Sequence, residues 1–407
     1  MLRIGASALI EAGGMEASVS GAVESGAANG GSGNAPRNAA LIAHLVAAGY
    51  LRHECAILQP AATFLELAGE ELRDRLFLTS DPSGAEFCLR PEFTIPVCRA
   101  YLASPQAGKP ADFSYLGPVF RYRAQGVSEF VQAGIESFGR ADRAGADADI
   151  MTIALEAAEL AGATNLVVKA GDAGLFSALL NALALDPVWV RRIKRGVARH
   201  QTLDQIFTPP ANGASAEHSG VLAAIQGADK QSARKLVEDL LSIAGISSVS
   251  GRSAGEIAER YLEQSTLQAN GGFSVEKRSV IEAYLAIEGH PDDASASARA
   301  LADDAKLDMS AALDDFDARL GFAAARGFDL SRMNFQARFA RNLDYYTGFV
   351  FEAADPANPG AAPVVAGGRY DGMLNALGAT GAIPAVGAAI WCDRLDTRPA
   401  VQGEPRP

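Results

Sequence analysis

The sequence predicts an α+β fold in which one sheet is interrupted by a helical insertion. Two short alternating stretches, at 113–122 and 129–138, flank the turn-forming residues Ala124-Gln125-Gly126 and predict a hairpin. Residues 186–327 read mainly as helix. Further strand patterns follow that block, at 333–340, 344–353, 363–366 and 384–391. Strands on both sides of a helical block favour a single mixed sheet with an insertion.

Bulk composition indicates a soluble, globular chain. Of the 407 residues, 48% are hydrophobic and 21% are charged, and the formal net charge is −12. That acidic balance argues against a nucleic-acid-binding surface, which needs clustered Lys and Arg side chains. No apolar run approaches the ~20 residues of a membrane-spanning helix.

The four cysteines, Cys55, Cys88, Cys98 and Cys392, have spacings that fit neither a zinc site nor a disulfide framework. The histidines lie far apart and form no metal-type pair. The simplest interpretation is free, buried thiols in a reducing cytoplasm. We therefore predict a cytoplasmic protein with no metal site and no cofactor.

Local patterns predict the first elements. A helix is expected around 41–46, and Gly49 can end it in a left-handed conformation. A second helix is expected at 149–161 and a short β-branched strand at 165–170. Within the helical block, an apolar stripe runs over 236–244.

Composition and periodicity divide the chain into five parts. The N-terminal part is rich in Gly, Ala and Ser, which is typical of a disordered tail. The predicted divisions are a disordered tail at 1–35, the first part of the core at 36–210, a mainly helical insertion at 211–327, the second part of the core at 328–397, and a flexible tail at 398–407.

Polar residues in apolar surroundings mark a candidate ligand site. Positions two apart in a strand share a face, so Gln132, Gly134 and Glu136 point the same way. An amide and a carboxylate on one face suit an ammonium or imidazole group, and the glycine between them can admit a ligand. A solvated sheet face would show the same pattern, so this segment alone does not decide.

Arginines and glycines elsewhere support a small charged ligand. Arg121 and Arg123 share a face, and a planar guanidinium binds carboxylate or phosphate in two places, although two surface arginines are the alternative. Glu92 follows a proline that fixes the local backbone. Glycines around Arg369 and Tyr370 let the backbone approach a ligand. This mixture of groups is expected for an amino-acid site.

Six ordered motifs resemble the signature set of histidyl-tRNA synthetase catalytic domains. They lie at 89–94, 120–121, 129–136, 341–348, 367–372 and 385–395. The resemblance runs from about residue 36 to 397, and L-D-Y-Y-T-G with G-G-R-Y-D-G is highly specific to that group. It implies a class II aminoacyl-tRNA synthetase-like antiparallel sheet of six strands, flanked by helices, and dimerisation around Pro60.

The resemblance also implies a histidine-binding pocket. The corresponding residues here are Glu92, Thr94, Arg121, Gln132, Glu136, Arg341, Tyr345, Tyr346 and Tyr370. No residue is assigned a catalytic role. Strand parity puts Arg341 and Tyr346 on opposite faces, so either Arg341 precedes the strand or a bulge intervenes.

Two families share these motifs: the synthetase and the regulatory subunit of ATP phosphoribosyltransferase. Adenylate-forming members carry a glutamate where this chain has Arg123, and arginine has no acceptor for the adenine amine. The loop Ala124–Ser128 that follows is shorter than theirs. Only 395–407 follow Arg394, so we expect no anticodon-binding domain.

These departures favour the regulatory subunit, a non-catalytic protein of the first step of histidine biosynthesis. Its expected partners are the short-form ATP phosphoribosyltransferase catalytic subunit, histidine as effector, and a second copy in a homodimer within a hetero-oligomer, with no nucleic acid and no membrane. One alternative is a histidyl-tRNA synthetase-like adenylating enzyme lacking the anticodon-binding domain, which Arg341 and Arg394 favour. Another is a stand-alone histidine sensor.

Overall fold

The computed structural model describes residues 35–67, 70–207, 273–339, 345–357, 360 and 362–395, together with residues 235, 239, 248–249 and 252–253. The predicted tails lie outside these residues, apart from Ala35, and so do the apolar residues of the stripe predicted at 236–244. Among the described residues, no helix combines the length and apolar character needed to span a bilayer.

Strands occupy both halves of the described chain. Their bounds are β1 Leu51–Arg52, β2 Leu58–Pro60, β3 Leu78–Ser80, β4 Glu86–Leu89, β5 Ala111–Phe120, β6 Glu129–Phe138, β7 Val167–Asp172, β8 Ser248–Val249, β9 Arg252–Ser253, β10 Glu288–Gly289, β11 Met333–Gln336, β12 Phe349–Ala354, β13 Val365–Arg369 and β14 Ala385–Trp391. The main sheet has the order β1-β5-β6-β14-β13-β12-β7-β11-β10, and two small sheets have the orders β2-β4-β3 and β8-β9.

The centre of the main sheet confirms the predicted class II-like architecture. Its six middle strands, from β5 to β7, are each antiparallel to their neighbours. β1 joins β5 and β11 joins β7 in the parallel direction, so the complete sheet is mixed. The predicted hairpin is confirmed as β5 and β6, which pair along ten residues each.

Helices cover the sheet. Those described are Ala35–Ala47, Ala61–Leu67, Glu70–Arg73, Thr94–Leu102, Arg143–Leu160, Ala173–Ala182, Pro187–Ala198, Leu203–Phe207, Val275–Leu285, Pro291–Asp304, Ser310–Ala325 and Gly372–Ala376, with a 3₁₀ turn at Leu330–Arg332. The helix predicted around 41–46 is confirmed, and Gly49 follows it at φ +100°.

Strand β6 separates two cores, because alternate residues of a strand face opposite ways. Ala133 and Ile135 face the larger core, which the helices Arg143–Leu160 and Ser310–Ala325 cover. Phe130 and Phe138 face the second core, on the side of the helix Thr94–Leu102. The even-numbered residues of β6, including Gln132 and Glu136, therefore lie on this second side.

The described end of the predicted insertion packs on the larger core. Phe316 lies edge-on to Phe335 of β11 at a centroid distance of 5.1 Å, and Tyr284 stacks on Phe176 at 5.7 Å. The boundaries 211 and 327 stay predictions.

Several elements begin away from their predicted starts, including the strands predicted at 165–170 and 363–366, which begin at Val167 and Val365. For two others the structure shows the reason. The helix expected at 149–161 begins at Arg143. Its first two turns carry small and charged side chains, which give no apolar pattern, and Asp147 is buried through ion pairs with Arg319 and Arg369. The strand expected at 344–353 begins at Phe349, because Tyr345 and Tyr346 pack in the second core instead of extending the sheet.

Candidate functional site

Glu136 is the centre of the candidate site. Its side chain is 1% exposed. Its Oε1 accepts hydrogen bonds from the Thr94 hydroxyl at 2.8 Å and the Tyr115 hydroxyl at 3.4 Å, and its Oε2 accepts one from the Tyr370 hydroxyl. Burial raises the pKa of Glu136 to about 8, and the charge of Glu92 adds to the rise, while the three hydroxyls oppose it. The protonated carboxyl therefore predominates at neutral pH.

Two glycines create the room that this cluster occupies. Gly387 of β14 lies directly opposite Glu136, and a Cβ there would overlap the Glu136 carboxyl group. Gly134 lies opposite Tyr115, and a Cβ there would overlap the Tyr115 hydroxyl. The expectation that Gly134 opens a path for a ligand is wrong, because Tyr115 fills the space above it.

Glu92 precedes the helix Thr94–Leu102 and binds its free amide groups. The Glu92 carboxylate accepts from the Thr94 N–H at 2.6 Å and from the Ile95 N–H at 3.0 Å. Burial raises the pKa of Glu92, while these amides and the Arg121 guanidinium oppose the rise. Glu92 thus fixes Thr94, which in turn contacts Glu136.

Three tyrosines line the same side of the sheet. The Tyr345 ring lies 4.8 Å from the Tyr346 centroid and 5.5 Å from the Tyr370 centroid. Burial raises the pKa of both Tyr345 and Tyr370 well above the ordinary range, so both hydroxyls stay protonated and remain donors.

Three predicted site residues remain, Gln132, Arg121 and Arg341. Gln132 lies on the same face of β6 as Glu136, two residues before Gly134. Its Oε1 has no hydrogen-bond partner among the described residues. Arg121 follows β5 and donates from Nε to the Pro91 carbonyl at 2.7 Å. Arg341 lies outside the described residues.

The structure therefore brings together six of the predicted residues, namely Glu92, Thr94, Glu136, Tyr345, Tyr346 and Tyr370. Sequence reasoning missed Tyr115 and Gly387. The alternation within 113–122 contained a usable signal for Tyr115, whereas Gly387 depends on the register of β14 against β6, which no local pattern shows.

A network of charges behind the site was also missed. Arg319 donates to Asp147 at 2.9 Å and to Asp172 at 2.8 Å, and Arg369 pairs with Asp147 at 2.7 Å and with Asp371 at 2.9 Å. All of these groups except Asp371 line part of a cavity of ≈ 140 Å³. Each carboxylate faces a guanidinium, so the network reads as structural. Among the described residues, no cluster of three or more His, Cys, Asp or Glu side chains is arranged to hold a metal ion.

The arrangement around Glu136 suits a polar ring that exists in two protonation states. A carboxyl group with a pKa near neutrality can donate or accept a hydrogen bond, and a nearby cation would favour its ionised form. Imidazole has the matching property, because its charge changes in the same pH range.

The sequence of the chain is similar to those of known proteins. The sequence profile described as histidyl-tRNA synthetase matches residues 35–234 and 230–395. A curated relative from Mesorhizobium japonicum, named ATP phosphoribosyltransferase regulatory subunit, is 42% identical over 350 residues, which cover 84% of this chain and 92% of the relative. A protein of the same name from Brucella canis is 40% identical over 356 residues, which cover 86% and 93%.

Solved structures agree with this at the level of the fold. A Bacillus halodurans protein, titled an ATP phosphoribosyltransferase regulatory subunit/histidyl-tRNA synthetase, superposes with a TM-score of 0.62 at 19% identity, covering 89% of this chain and 78% of its own. Histidyl-tRNA synthetase from Nostoc sp. superposes with a TM-score of 0.59 at 15% identity, covering 89% and 70%.

Proposed function

This chain belongs to the family of ATP phosphoribosyltransferase regulatory subunits, and we propose that it activates the short-form catalytic subunit and senses histidine. The proposal that the chain senses histidine rests on one observation: the buried Glu136 carboxyl accepts hydrogen bonds from the hydroxyls of Thr94, Tyr115 and Tyr370. Burying polar groups is costly unless they are hydrogen-bonded. In a chain that does no chemistry, such a cluster is best explained by ligand binding.

Arg123 supports a role without adenylate formation. Its guanidinium lies over the Phe130 ring at 4.2 Å from the centroid and 3.8 Å from the Asp393 carboxylate. A guanidinium cannot accept a hydrogen bond from the adenine amine. At position 123 the chain thus has no acceptor for the adenine amine, while the described residues around Glu136 include groups suited to an amino acid.

Regulation requires two states of the assembly. Histidine can lower activity only if it binds the inactive conformation more tightly than the active one. The tyrosines Tyr345 and Tyr346 are suitable carriers of that difference. Tyr346 packs against Tyr345, and Tyr345 packs against Tyr370, which donates a hydrogen bond to Glu136.

A homodimer within a hetero-oligomer fits the exposed apolar side chains near Pro60. Leu51, Leu58 and Leu78 are each about half exposed or more, which is unfavourable for a lone subunit. The net charge of −12 fits a cytoplasmic protein that binds neither nucleic acid nor a membrane surface.

Reconstitution tests the proposal. Full-length protein is mixed with a short-form catalytic subunit, and the condensation of ATP with phosphoribosyl pyrophosphate is measured with and without histidine. We expect a hetero-oligomer in size-exclusion chromatography, a strong rise in rate, and inhibition by histidine.

Two tyrosine variants separate sensing from assembly. Tyr370→Phe should blunt the inhibition and leave the hetero-oligomer intact, while Tyr122→Phe, at an exposed ring, should change neither. A catalytic subunit that is equally active and equally inhibited without this chain would contradict the proposed role.

A further inference from the structure

The cavity of ≈ 140 Å³ lies behind the main sheet, on the side away from Glu136. Its lining includes Leu175 of the larger core and Arg369, whereas Tyr370 donates to Glu136 on the other side. An engineered cavity of ~150 Å³ holds benzene, so this one has room for about six non-hydrogen atoms. The first turns of three helices meet around it: Arg143–Leu160, Ala173–Ala182 and Ser310–Ala325.

Two of these helices bring backbone amides without an acceptor to the cavity. In Arg143–Leu160 and Ser310–Ala325, the side chain of the preceding residue accepts no hydrogen bond from the first turn. Asp308 accepts from the first amide of the second helix only. The described contacts contain no acceptor for the amides of Ala144 and Ala312, and both residues line the cavity. Amides of this kind, together with the helix dipole, favour an anion.

Arg319 adds a buried guanidinium group that is only partly used. The residue is 8% exposed, and its Nε and Nη1 donate to Asp147 and Asp172. The Phe349 ring lies 4.8 Å from the guanidinium carbon and fixes its plane. No hydrogen bond to Nη2 occurs within the described part of the chain, although Arg319 lines the cavity. The Nη2 group therefore needs an acceptor inside the cavity.

The carboxylates beside this group are already hydrogen-bonded through both oxygens. Asp147 accepts from Arg319 on one oxygen and from Arg369 on the other. Asp172 accepts from Arg319 on one oxygen and caps the helix Ala173–Ala182 with the other. The unpaired groups described above are all donors, so a ligand that satisfies them must be an acceptor.

The charges of the surrounding network balance. Its members are the guanidinium groups of Arg143, Arg319 and Arg369 and the carboxylates of Asp147, Asp172 and Asp371. The two helix starts then add positive potential to a neutral network. Asp315 is the remaining charged side chain among the described residues that line the cavity, and it is exposed, so water screens its charge.

We propose that this cavity binds a phosphate group. A guanidinium fork and the amides of a helix start are the donors that phosphate oxygens commonly accept from in proteins. Inorganic phosphate has five non-hydrogen atoms and fits within the cavity, whereas a larger metabolite fits only its terminal phosphate. The site lies on the other side of the sheet from Glu136, so it is separate from the proposed histidine pocket.

A pair of alanine variants in the full-length protein tests the position of the site. Inorganic phosphate is titrated at constant ionic strength and neutral pH, and binding is measured by calorimetry and by melting temperature. Ala312→Glu places a carboxylate in the cavity at the third helical position, where glutamate suits a helix, and should abolish phosphate binding. Ala311→Glu adds the same charge at an exposed neighbour that does not line the cavity, and should leave phosphate binding in place.

A pair of aspartate variants tests the sign of the charge. Asp315→Asn removes a negative charge from the lining and should raise the phosphate affinity about two- to fivefold. Asp314→Asn changes the net charge equally at a residue that pairs with Arg299 outside the lining, and should not change the affinity. This pair decides the matter if Ala312→Glu fails to fold.

Three results would overturn the inference. They are no binding of millimolar phosphate to the unaltered protein, equal losses in the two alanine variants, and equal effects in the two aspartate variants. Acetate that binds as tightly as phosphate would show a carboxylate site instead. Phosphoribosyl pyrophosphate separates the sources of the phosphate group: tighter binding than inorganic phosphate, lost in Ala312→Glu, identifies a metabolite, and weaker binding identifies the free ion. Histidine enters none of these measurements, so histidine sensing stands or fails separately.

Discussion

Arg369 and Asp147 form an ion pair of 2.7 Å in which neither side chain is more than 2% exposed. The pair joins β13 to the helix Arg143–Leu160 behind the candidate site. Tyr370, the residue that follows β13, faces the opposite side and donates to Glu136. The position of Tyr370 is thus tied to the charge network on the other side of the sheet.

Asp147→Asn should destabilise the protein strongly. The change leaves Arg369 and Arg319 buried beside a neutral amide, and breaking a buried pair typically costs about 3–5 kcal/mol. Urea unfolding would measure the loss. Asp314→Asn is the matched control, because Asp314 pairs with Arg299 at 2.8 Å in an exposed setting, and its effect should not be resolvable. Similar losses in the two variants would contradict a structural role for the network.

The sequence was a good guide to elements and a poor guide to this network. Two short alternating stretches and the turn-forming residues between them predicted the hairpin of β5 and β6. Asp147 gave no such signal. A charged residue within a helix reads as solvated, and its burial depends on Arg319 and Arg369, which lie 172 and 222 residues away.

Glu136 should make stability fall as pH rises through neutrality. The pKa of its carboxyl is about 8 in the folded state against an ordinary value of 4.5. Between these values the folded protein holds a proton that the unfolded chain has lost, so the free energy of unfolding decreases with pH by at most ~1.4 kcal/mol per unit.

Glu136→Gln should remove this contribution and flatten the pH dependence between pH 5 and pH 8. The measurement is urea unfolding at intervals across the window, compared with the unaltered protein. Glu282→Gln is the control, since Glu282 is an exposed helical residue. Parallel curves for the Glu136 variant and the unaltered protein would show that Glu136 does not titrate in this range.

Gly387→Ala should disturb the site, because its Cβ would overlap the Glu136 carboxyl group. Over-packing of this kind costs about 1–3 kcal/mol. We expect histidine to raise the melting temperature of the unaltered protein by binding its folded state, and this rise should disappear in the variant. Gly321→Ala is a useful control within the helix Ser310–Ala325. Nothing lies within 4 Å of its added Cβ, so that variant should gain about 0.5–1 kcal/mol and keep the response to histidine. An unchanged response to histidine in Gly387→Ala would show that histidine does not bind beside Glu136.

The candidate site was predicted in part, for a physical reason. Gln132 and Glu136 share a face because strand parity is local, and this much follows from spacing. The space around Glu136 cannot be predicted from spacing, since it depends on Tyr115 and Gly387 from the two neighbouring strands.

The protein should not catalyse histidine-dependent exchange of pyrophosphate into ATP. Arg123 offers no acceptor to an adenine amine, and its guanidinium is already engaged with Phe130 and Asp393. The assay follows labelled pyrophosphate entering ATP, with a histidyl-tRNA synthetase as the positive control. The expected rate is the same with and without histidine. Robust exchange that depends on histidine, and that is lost in Glu136→Gln, would favour the adenylating alternative. Inhibition of the reconstituted phosphoribosyltransferase by histidine, without any exchange, would instead separate histidine binding from adenylate chemistry on one fold.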